Sequence, residues 1–383
     1  MLLLALLLHA DDVGTLVREY LADPAKNKAL VEKIAARSIG EVEIAVRASR
    51  TYEKRDPGVV NGAAANTHDP SQIVPYLILV PPHDPEKLHP LLVSLHGQNG
   101  SAKSHIGNWR RDVEKEDGLF LLVPDAARGG WGRSRLGFGN VHGVIRAALA
   151  KYPIDPNRVI LDGGSMGGNG SFQFGTCFPD MFAAMAPRIG GPEFVKNASG
   201  KVTTARFLEN LRNLPVYWIV GAQDEMCPID WARVAKNLME DLKLDLTCRE
   251  LDGGHEWFPQ ENPKVLEWLR AKKRDPYPRV VHWVTHERIW NRSYWLEITA
   301  ISKAADERRK RTYMTDKNEP IEERLAFVHA AEVYAEIDRE VTVYVDGAQK
   351  TRKKVTRSAR TVLESAQRDR EMLFSAMLDV KLK

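Results

Sequence analysis

Residues 158–168 have the sequence RVILDGGSMGG, an apolar run followed by glycines around one serine. The pattern G-x-S-x-G, placed after a strand and before a helical stretch, predicts a sharp turn that lifts the serine hydroxyl above a sheet. Gly163 and Gly167 lack a β-carbon and therefore suit the crowded backbone of such a turn. The following helix N-terminus would favour negative charge beside the hydroxyl. Ser165 is the candidate nucleophile, against the alternative of a glycine-rich turn without chemistry.

A serine hydroxyl attacks poorly until a base takes its proton, and the base needs a third group to orient it. After a turn of this kind the acid and then the histidine follow, each beyond a later strand. Asp224 is the first carboxylate after the apolar run PVYWIVG (215–221), and Glu225 and Asp230 are its competitors. His255 lies in a glycine-flanked loop after the next strand candidate. The spacing therefore predicts Asp224 as the acid and His255 as the base.

A tetrahedral oxyanion would need two backbone donors near the serine. The N–H of Met166, directly after Ser165, is the first donor expected from such a turn. The second comes from a turn after an early strand, and here that position falls in LHGQNG (95–100). We predict Gln98 as this donor, with His96 and Gly97 shaping the turn; the alternative is an ordinary glycine-rich strand end.

Two tryptophans are candidate walls of a substrate site. Trp131 lies among glycines in a loop that follows a strand on the same edge of the predicted sheet. Trp257 comes two residues after His255. For both, the alternative is plain packing, since tryptophan is usually mostly buried.

The apolar runs divide the chain. From about residue 75 to 275, short unbroken apolar runs alternate with stretches of helical period, which indicates a mostly parallel sheet covered on both faces. Residues 11–74 form an N-terminal lead, with two short helices in 11–36 and an alternating pattern over 41–48 that predicts a strand.

Residues 276–383 lack this alternation and are predicted to form a small accessory unit, β-rich or α+β. Strands are expected over 279–287 and 293–301, and a hairpin is expected at Asp346-Gly347. On a strand, His282 and His286 would lie ~13 Å apart, too far to share one metal ion.

The composition excludes several classes of protein. Among 383 residues the net charge is +4 and 43% are hydrophobic, which is typical of a globular chain and disfavours a dedicated nucleic-acid binder. No apolar run is long enough for a membrane-spanning helix. The three cysteines lack the CxxC spacing of zinc sites and allow at most one disulfide.

The first ten residues, MLLLALLLHA, suggest export. The leucine run and the small Ala10 before two aspartates are similar to the apolar core and cleavage site of a signal peptide, although no basic residue precedes the leucines. We therefore expect a signal peptide over 1–10 and a secreted or periplasmic protein; a short apolar helix start and a cytoplasmic location are the alternative.

The chain from about 73 to 273 resembles the α/β-hydrolase superfamily. It is most similar to the secreted esterases that include polyhydroxybutyrate depolymerases and feruloyl and acetyl-xylan esterases, and to prolyl-oligopeptidase-like catalytic domains. The resemblance is carried by PLLVSLHG (90–97), KYPIDPNRVILDGGSMGG (151–168), VYWIVGAQDEMCP (216–228) and ELDGGHEW (250–257). It implies the same nucleophile, acid, base and oxyanion amides.

The sequence therefore predicts a serine hydrolase that cleaves small-molecule or polymer esters through an acyl-enzyme, without a metal or organic cofactor. Two alternatives stay open. One is a serine peptidase of the prolyl-oligopeptidase kind, which uses the same triad. The other is a noncatalytic protein that binds a polysaccharide or a partner on a hydrolase scaffold.

Overall fold

A computed structural model gives the fold of the chain. It describes residues 13–50, 52, 54–116, 118–126, 130–132, 134–285, 288–294, 296–301, 328–335, 340–345, 348–354, 356–368 and 376–381. The signal peptide predicted over 1–10 lies outside these residues. Within the described ranges no helix combines the length and apolarity needed to cross a membrane.

The strands, numbered in chain order, share the short lengths predicted from the apolar runs. They are β1 (Gly58–Ala65), β2 (Ile73–Val80), β3 (His89–Leu95), β4 (Phe120–Pro124), β5 (Ile154–Gly164), β6 (Ala184–Arg188), β7 (Phe194–Lys196), β8 (Val202–Ala205), β9 (Val216–Gly221), β10 (Leu246–Leu251), β11 (Arg292–Ser293), β12 (Leu296–Ile301), β13 (Val328–Ala335), β14 (Glu340–Val345), β15 (Ala348–Lys354) and β16 (Ala376–Lys381).

The helices lie before and between these strands. They are α1 (13–22), α2 (Leu30–Ala35), α3 (Ile39–Arg47), α4 (Ala102–His105), α5 (Gly107–Val113), α6 (Arg135–Lys151), α7 (Met166–Cys177), α8 (Ile229–Asp241), α9 (Asn262–Arg270) and α10 (Ala359–Arg368). Short 3₁₀ turns cover Pro179–Met181, Leu208–Asn213, Pro259–Glu261 and Arg288–Trp290.

The chain divides into two compact units, and the larger one consists mainly of residues 52–284. An eight-stranded sheet forms its centre, in the order β1-β2-β4-β3-β5-β6-β9-β10. β2 runs antiparallel to both of its neighbours, β1 and β4, and the pairs from β4 to β10 are parallel. This is the predicted α/β class with a mostly parallel sheet. The predicted boundary at 75 is too late, because β1 and the first residues of β2 already belong to this sheet.

Successive side chains of a strand point to opposite sides, so the apolar strands of this sheet have side chains to bury on both faces. On one face, residues such as Leu92 and Ile160 pack against Trp109 of α5 and Leu266 of α9. On the other face α6, α7 and α8 cover the sheet, and Phe172 of α7 contacts Trp218 of β9 with ring centroids 5.0 Å apart. Strands buried on both faces explain the unbroken apolar runs of the sequence.

The chain reverses its direction across the sheet at β3. β4 pairs on one side of β3, and the next strand, β5, pairs on the other side. Ligands of open α/β sheets bind beyond the carboxyl ends of the strands at such a switch point. β5 ends at Gly164, so Ser165 follows directly at this point of the sheet.

The smaller unit combines the N-terminal segment up to Thr51 with most of the chain from Thr285 onward. Its helices α1, α2, α3 and α10 share an apolar core with fully buried Val17, Ile34, Val42, Val362 and Leu363. An antiparallel sheet, β11-β12-β13-β16, and the hairpin β14-β15 complete it. The smaller unit is thus α+β, and it includes N-terminal helices that lie outside the accessory unit predicted over 276–383.

The units divide differently from the predicted lead and accessory unit. The larger unit consists mainly of Tyr52–Val284, so the predicted boundaries at 74 and 276 do not coincide with it. The N-terminal helices and the C-terminal helix α10 belong together because a helix can bury its apolar face only against other elements, and these helices pack their apolar faces against one another. Linear sequence patterns do not show that such distant segments share a core.

The predicted strand over 41–48 is wrong, because α3 occupies this segment. Val42, Ala45 and Val46 are buried, a spacing that fits one helix face as well as the alternation fits a strand. Ser38 and Glu41 form a capping box in which the Ser38 hydroxyl accepts the Glu41 N–H. The S-x-x-E pattern was the sequence signal for this helix start.

The predicted strand over 279–287 is also wrong, because its described residues, 279–285, are irregular. Side-chain amides satisfy this backbone in place of a neighbouring strand. Asn210 accepts the N–H of Val284 and donates to its carbonyl, both at 2.9 Å, and Asn213 donates to the Val280 carbonyl. A segment paired in this way keeps strand-like apolar residues without joining a sheet.

Candidate active site

Ser165 lies on a strained turn between β5 and α7. Its φ of 57° and ψ of −118° are unusual for a residue with a side chain. Its N–H donates to the Arg188 carbonyl at 3.0 Å, which fixes the turn against β6. Met166 is the first residue of α7, and the first N–H groups of a helix have no acceptor within it. The predicted strand–turn–helix arrangement is therefore present.

Gly163 and Gly167 are required by close packing of the turn on β3. A β-carbon at Gly163 would overlap the Gly167 carbonyl oxygen and lie 3.0 Å from the Leu95 β-carbon. A β-carbon at Gly167 would overlap the Leu95 carbonyl oxygen and lie 2.9 Å from the His96 carbonyl oxygen. Main-chain atoms form these contacts, so a larger residue cannot be accommodated by a side-chain rotation.

Gly167→Ala is expected to destabilise the larger unit by about 1–3 kcal/mol, because the added methyl group meets main-chain oxygens. Thermal denaturation measures this loss. Gly107→Ala is the matched control, since a β-carbon there meets nothing within 4 Å in helix α5 and alanine favours helix by up to about 1 kcal/mol. Equal stability of the two variants would contradict the packing argument.

Asp224 and His255 lie within hydrogen-bond distance of each other and of the serine. His255 Nδ1 is 2.8 Å from Asp224 Oδ2 and 3.0 Å from Oδ1. His255 Nε2 is 2.8 Å from Ser165 Oγ. A carboxylate only accepts hydrogen bonds, so Nδ1 carries the proton and Nε2 is free to accept the serine hydroxyl. The three side chains form one hydrogen-bonded chain.

Of the three competing carboxylates, the structure brings only Asp224 to the histidine. Asp224 is buried, and its Oδ1 also accepts the backbone N–H groups of Met226 at 2.9 Å and Cys227 at 2.8 Å. Glu225 is exposed. Asp230 lies in the first turn of α8, as expected, with a side chain 86% exposed.

The loops that carry the acid and the histidine are tied to each other. Gln223 N–H donates to the Gly253 carbonyl, and Ala222 N–H donates to the Leu251 carbonyl. A β-carbon at Gly221 would overlap the Gly254 carbonyl oxygen. The parallel pairing of β9 with β10 thus continues into the loops and sets the distance between Asp224 and His255.

The turn after β3 lies beside the nucleophile. A β-carbon on Gly97 would lie 3.6 Å from the Ser165 β-carbon, and Gln98 follows as an exposed residue. His96 shapes this turn, because its Nδ1 donates to the Gly97 carbonyl at 2.8 Å and its Nε2 accepts the Ala126 N–H at 3.0 Å. The turn is where the second oxyanion donor was predicted; Gln98 as that donor stays a prediction.

The structure does not support Trp131 as a substrate wall. The side chain is 1% exposed, and its indole Nε1 donates to the His96 carbonyl at 2.8 Å. Its β-carbon packs closely against Gly170 of α7. Trp131 therefore supports the turn after β3 from inside, which is the packing alternative.

Trp257 is half-buried beside the nucleophile turn. A β-carbon on Gly164 would lie 2.8 Å from the Trp257 ring, so the indole fits only because Gly164 precedes Ser165. The ring also contacts His105 edge-on, with centroids 5.1 Å apart. Trp257 as a substrate contact stays a prediction.

A buried polar cluster that the sequence analysis missed lies under this turn. Asp162 Oδ2 accepts the Trp109 Nε1–H at 2.6 Å and the Ser94 hydroxyl at 2.7 Å. Because the Ser94 proton is used in this way, Ser94 Oγ accepts the Nε2–H of His105 at 2.8 Å. Burial lowers the pKa of His105 to about 3, so this histidine is neutral in the folded protein near neutral pH.

His105 should make folding sensitive to acid. The unfolded chain binds the His105 proton below about pH 6.5, whereas the folded chain binds it only near pH 3. The contribution of His105 to stability is therefore constant above pH 7 and falls by about 1.4 kcal/mol per pH unit as pH decreases through this window. Urea unfolding from pH 7 to 4 should show a shallower fall for His105→Gln. Identical slopes in both proteins would contradict the assignment.

His282 and the cysteines of the sequence analysis contribute no side chain to the hydrogen-bonded chain of Ser165, His255 and Asp224, although the backbone N–H of Cys227 donates to Asp224. His282 lies in the irregular segment after α9, and His286 lies outside the described residues. Across the described residues no group of three or more potential ligands is arranged to hold a metal ion. Cys177, Cys227 and Cys248 are all described, and no disulfide joins any two of them.

Comparisons with known proteins found similarity only among solved structures. No protein-family model and no curated protein matches the chain. One similar solved structure is a thermostable esterase, with 23% identity and a TM-score of 0.46, matched over 56% of this chain and 63% of the esterase. Another is a ferulic acid esterase, with 16% identity and a TM-score of 0.46, matched over 56% of this chain and 98% of that chain. An acylaminoacyl peptidase of Pyrococcus horikoshii, with 14% identity and a TM-score of 0.46, matches over 60% of this chain and 44% of its own length.

The chain thus spans less than two thirds of the thermostable esterase. The strand order, the parallel pairing and the turn after β5 give the larger unit the predicted α/β-hydrolase fold.

Proposed function

We propose that this protein is a serine hydrolase that cleaves carboxylic esters through an acyl-enzyme intermediate. The observation that carries the proposal is the continuous hydrogen-bonded chain from Ser165 Oγ through the His255 ring to Asp224, with two links of 2.8 Å. Its order along the sequence, serine then acid then histidine, and its place at the sheet's switch point are those expected for this chemistry.

In the first step Ser165 Oγ attacks the ester carbonyl while His255 Nε2 takes the hydroxyl proton. The same nitrogen returns the proton to the leaving alcohol, and the acyl group stays on the serine. Water, deprotonated by His255, then attacks the acyl carbon, the bond to Ser165 Oγ breaks, and Oγ takes the proton back from His255 as the acid is released. Asp224 keeps the Nδ1–H tautomer in place and stabilises the imidazolium that forms in each step.

Backbone amides stabilise the oxyanion in this proposal. The Met166 N–H lies at the start of α7, where the helix dipole favours negative charge. The turn of residues 97–100 supplies the second donor beside Ser165. One donor of this kind is worth about 3–4 kcal/mol of barrier in related enzymes.

An ester is the favoured substrate because its alkoxide leaves readily, whereas an amide leaves only after efficient protonation by the histidine. A panel of p-nitrophenyl, feruloyl and acetylated-xylan esters, with aminoacyl and peptidyl p-nitroanilides for comparison, tests this. We expect kcat/KM for p-nitrophenyl acetate to exceed that of every anilide by at least ~100-fold, about 2.7 kcal/mol of barrier.

Each other result selects an alternative. Anilide cleavage as fast as ester cleavage would assign the triad to a peptidase. Absence of turnover on every substrate, together with inertness toward a fluorophosphonate, would instead make the protein a noncatalytic binder.

A further inference from the structure

Arg188 and Asp162 form a buried ion pair beneath the nucleophile turn. Both side chains are 0% exposed, and Arg188 Nε lies 3.3 Å from Asp162 Oδ1. Removing two charges from water is costly, and apolar residues of similar volume are often as stabilising at such a place. Stability alone therefore does not account for this pair, which the proposed mechanism leaves without a role.

The main chain of Arg188 holds the nucleophile. β6 ends at Arg188, which pairs with Gly164 at the end of β5. From this position its carbonyl accepts the Ser165 N–H at 3.0 Å. The backbone conformation of Ser165 is strained, so this contact helps to keep the hydroxyl aimed above the sheet.

The side chain of Arg188 holds the loop that follows His255. Nη1 donates to the carbonyls of Trp257 at 3.2 Å and Phe258 at 3.4 Å. The guanidinium also lies over two mutually perpendicular indole rings, 4.5 Å from the centroid of Trp257 and 4.7 Å from that of Trp109. A cation over an aromatic face is attracted to it, so these two rings help to fix the side chain in one geometry.

We propose that Arg188, anchored by Asp162, is a positioning residue that locks the histidine loop onto the nucleophile turn. One residue then sets both ends of the 2.8 Å link between Ser165 Oγ and His255 Nε2. This inference rests on the proposed serine hydrolase function and adds a residue to it. It assigns Arg188 no contact with substrate.

Arg188→Lys tests the role because lysine retains the charge beside Asp162 and loses the planar fork that reaches the loop carbonyls. A small displacement of a catalytic group can cost ~10²-fold in rate. We expect kcat for p-nitrophenyl acetate, and the rate of fluorophosphonate labelling, to fall by ~10–100-fold. KM should change less than kcat, since Arg188 itself contacts no substrate in this proposal.

Arg274→Lys is the matched control. Arg274 is also buried, and its guanidinium donates to the Asp180 carbonyl and to Asn157 Oδ1, at the opposite ends of the strands from Ser165. A merely structural arginine loses stability on the same substitution and keeps the kcat of its folded fraction. We therefore expect Arg274→Lys to lower the thermal midpoint and to leave kcat within about threefold of the parent.

A spectroscopic readout separates position from stability. The proton on His255 Nδ1, shared with Asp224, should give a far-downfield ¹H resonance in the parent and in Arg274→Lys. The resonance should broaden or shift in Arg188→Lys. Should that variant fail to fold, Asp162→Asn removes the charged anchor with little change of shape and is expected to change kcat and the resonance in the same direction.

The outcomes distinguish the two proposals. A parent that neither labels nor turns over esters refutes the serine hydrolase function itself. A parent that labels, with folded Arg188→Lys or Asp162→Asn retaining kcat within about threefold and an unchanged resonance, overturns the positioning role alone.

Discussion

Ser165→Ala is expected to lower ester turnover on the order of 10⁶-fold, the loss that follows removal of the nucleophile from a serine triad. The acyl-enzyme cannot form without Oγ, and His255 then has no proton to take. The thermal midpoint should stay within about 4 °C of the parent, because the hydroxyl lies on a turn and its removal costs at most about 1 kcal/mol. Stopped-assay hydrolysis of p-nitrophenyl acetate and thermal denaturation measure the two effects.

Two results would contradict this expectation. Turnover within about tenfold of the parent would show that another group attacks the ester. A collapse of the thermal midpoint would mean that the variant reports on folding, in which case the loss of turnover would say nothing about Ser165. Ser171→Ala is a matched control, since that buried hydroxyl donates to the Gly167 carbonyl within α7.

Asp224→Asn is expected to lower kcat by at least about 100-fold and up to ~10⁴-fold, with KM little changed. The asparagine oxygen can still accept the N–H groups of Met226 and Cys227 at the Oδ1 position. Its amide NH₂ then faces His255 Nδ1 and donates to it. The ring is therefore driven into the tautomer that presents Nε2–H to the serine, which cannot take the hydroxyl proton.

The neighbouring carboxylates supply the controls for this substitution. Glu225→Gln and Asp230→Asn should stay within about threefold of the parent, as expected for exposed side chains. Steady-state kinetics on the three variants compares them directly. If either control is the inactive variant while Asp224→Asn is active, the acid has been assigned to the wrong residue.

Much of the larger unit could be predicted because its signals are local. A parallel sheet buried on both faces requires unbroken apolar runs, and the nucleophile turn requires glycines wherever main-chain atoms approach, as at Gly163 and Gly167. Asp224 and His255 could be placed near Ser165 because each follows the end of a strand. Their hydrogen-bonded geometry depends on the pairing of β9 with β10, which only the structure shows.

The errors arise where local patterns permit two structures. The charged and apolar alternation over 41–48 fits a strand, yet a helix face at Val42, Ala45 and Val46 buries the same residues against distant α10. Trp131 was a candidate wall of a substrate site because it lies in a glycine-rich loop. The sequence does not show that its indole donates to the His96 carbonyl. In both cases long-range packing decided the outcome.

The Asp162–Arg188 pair could not be found in the sequence. Its contacts join four segments that are far apart along the chain, around residues 109, 162, 188 and 257. Asp162 and Arg188 each look like an ordinary strand residue in the sequence, and charged side chains are rarely fully buried. The apposition of β5 and β6 brings them together.

Fluorophosphonate labelling followed by peptide mass spectrometry tests the central claim most directly, since the reagent reacts with a serine only when a neighbouring base activates it. The account predicts one phosphonyl adduct, located on Ser165, that is lost in Ser165→Ala and strongly slowed in Asp224→Asn. An unlabelled parent, or an adduct on any other residue, would contradict the assignment of Ser165, His255 and Asp224 as a catalytic triad.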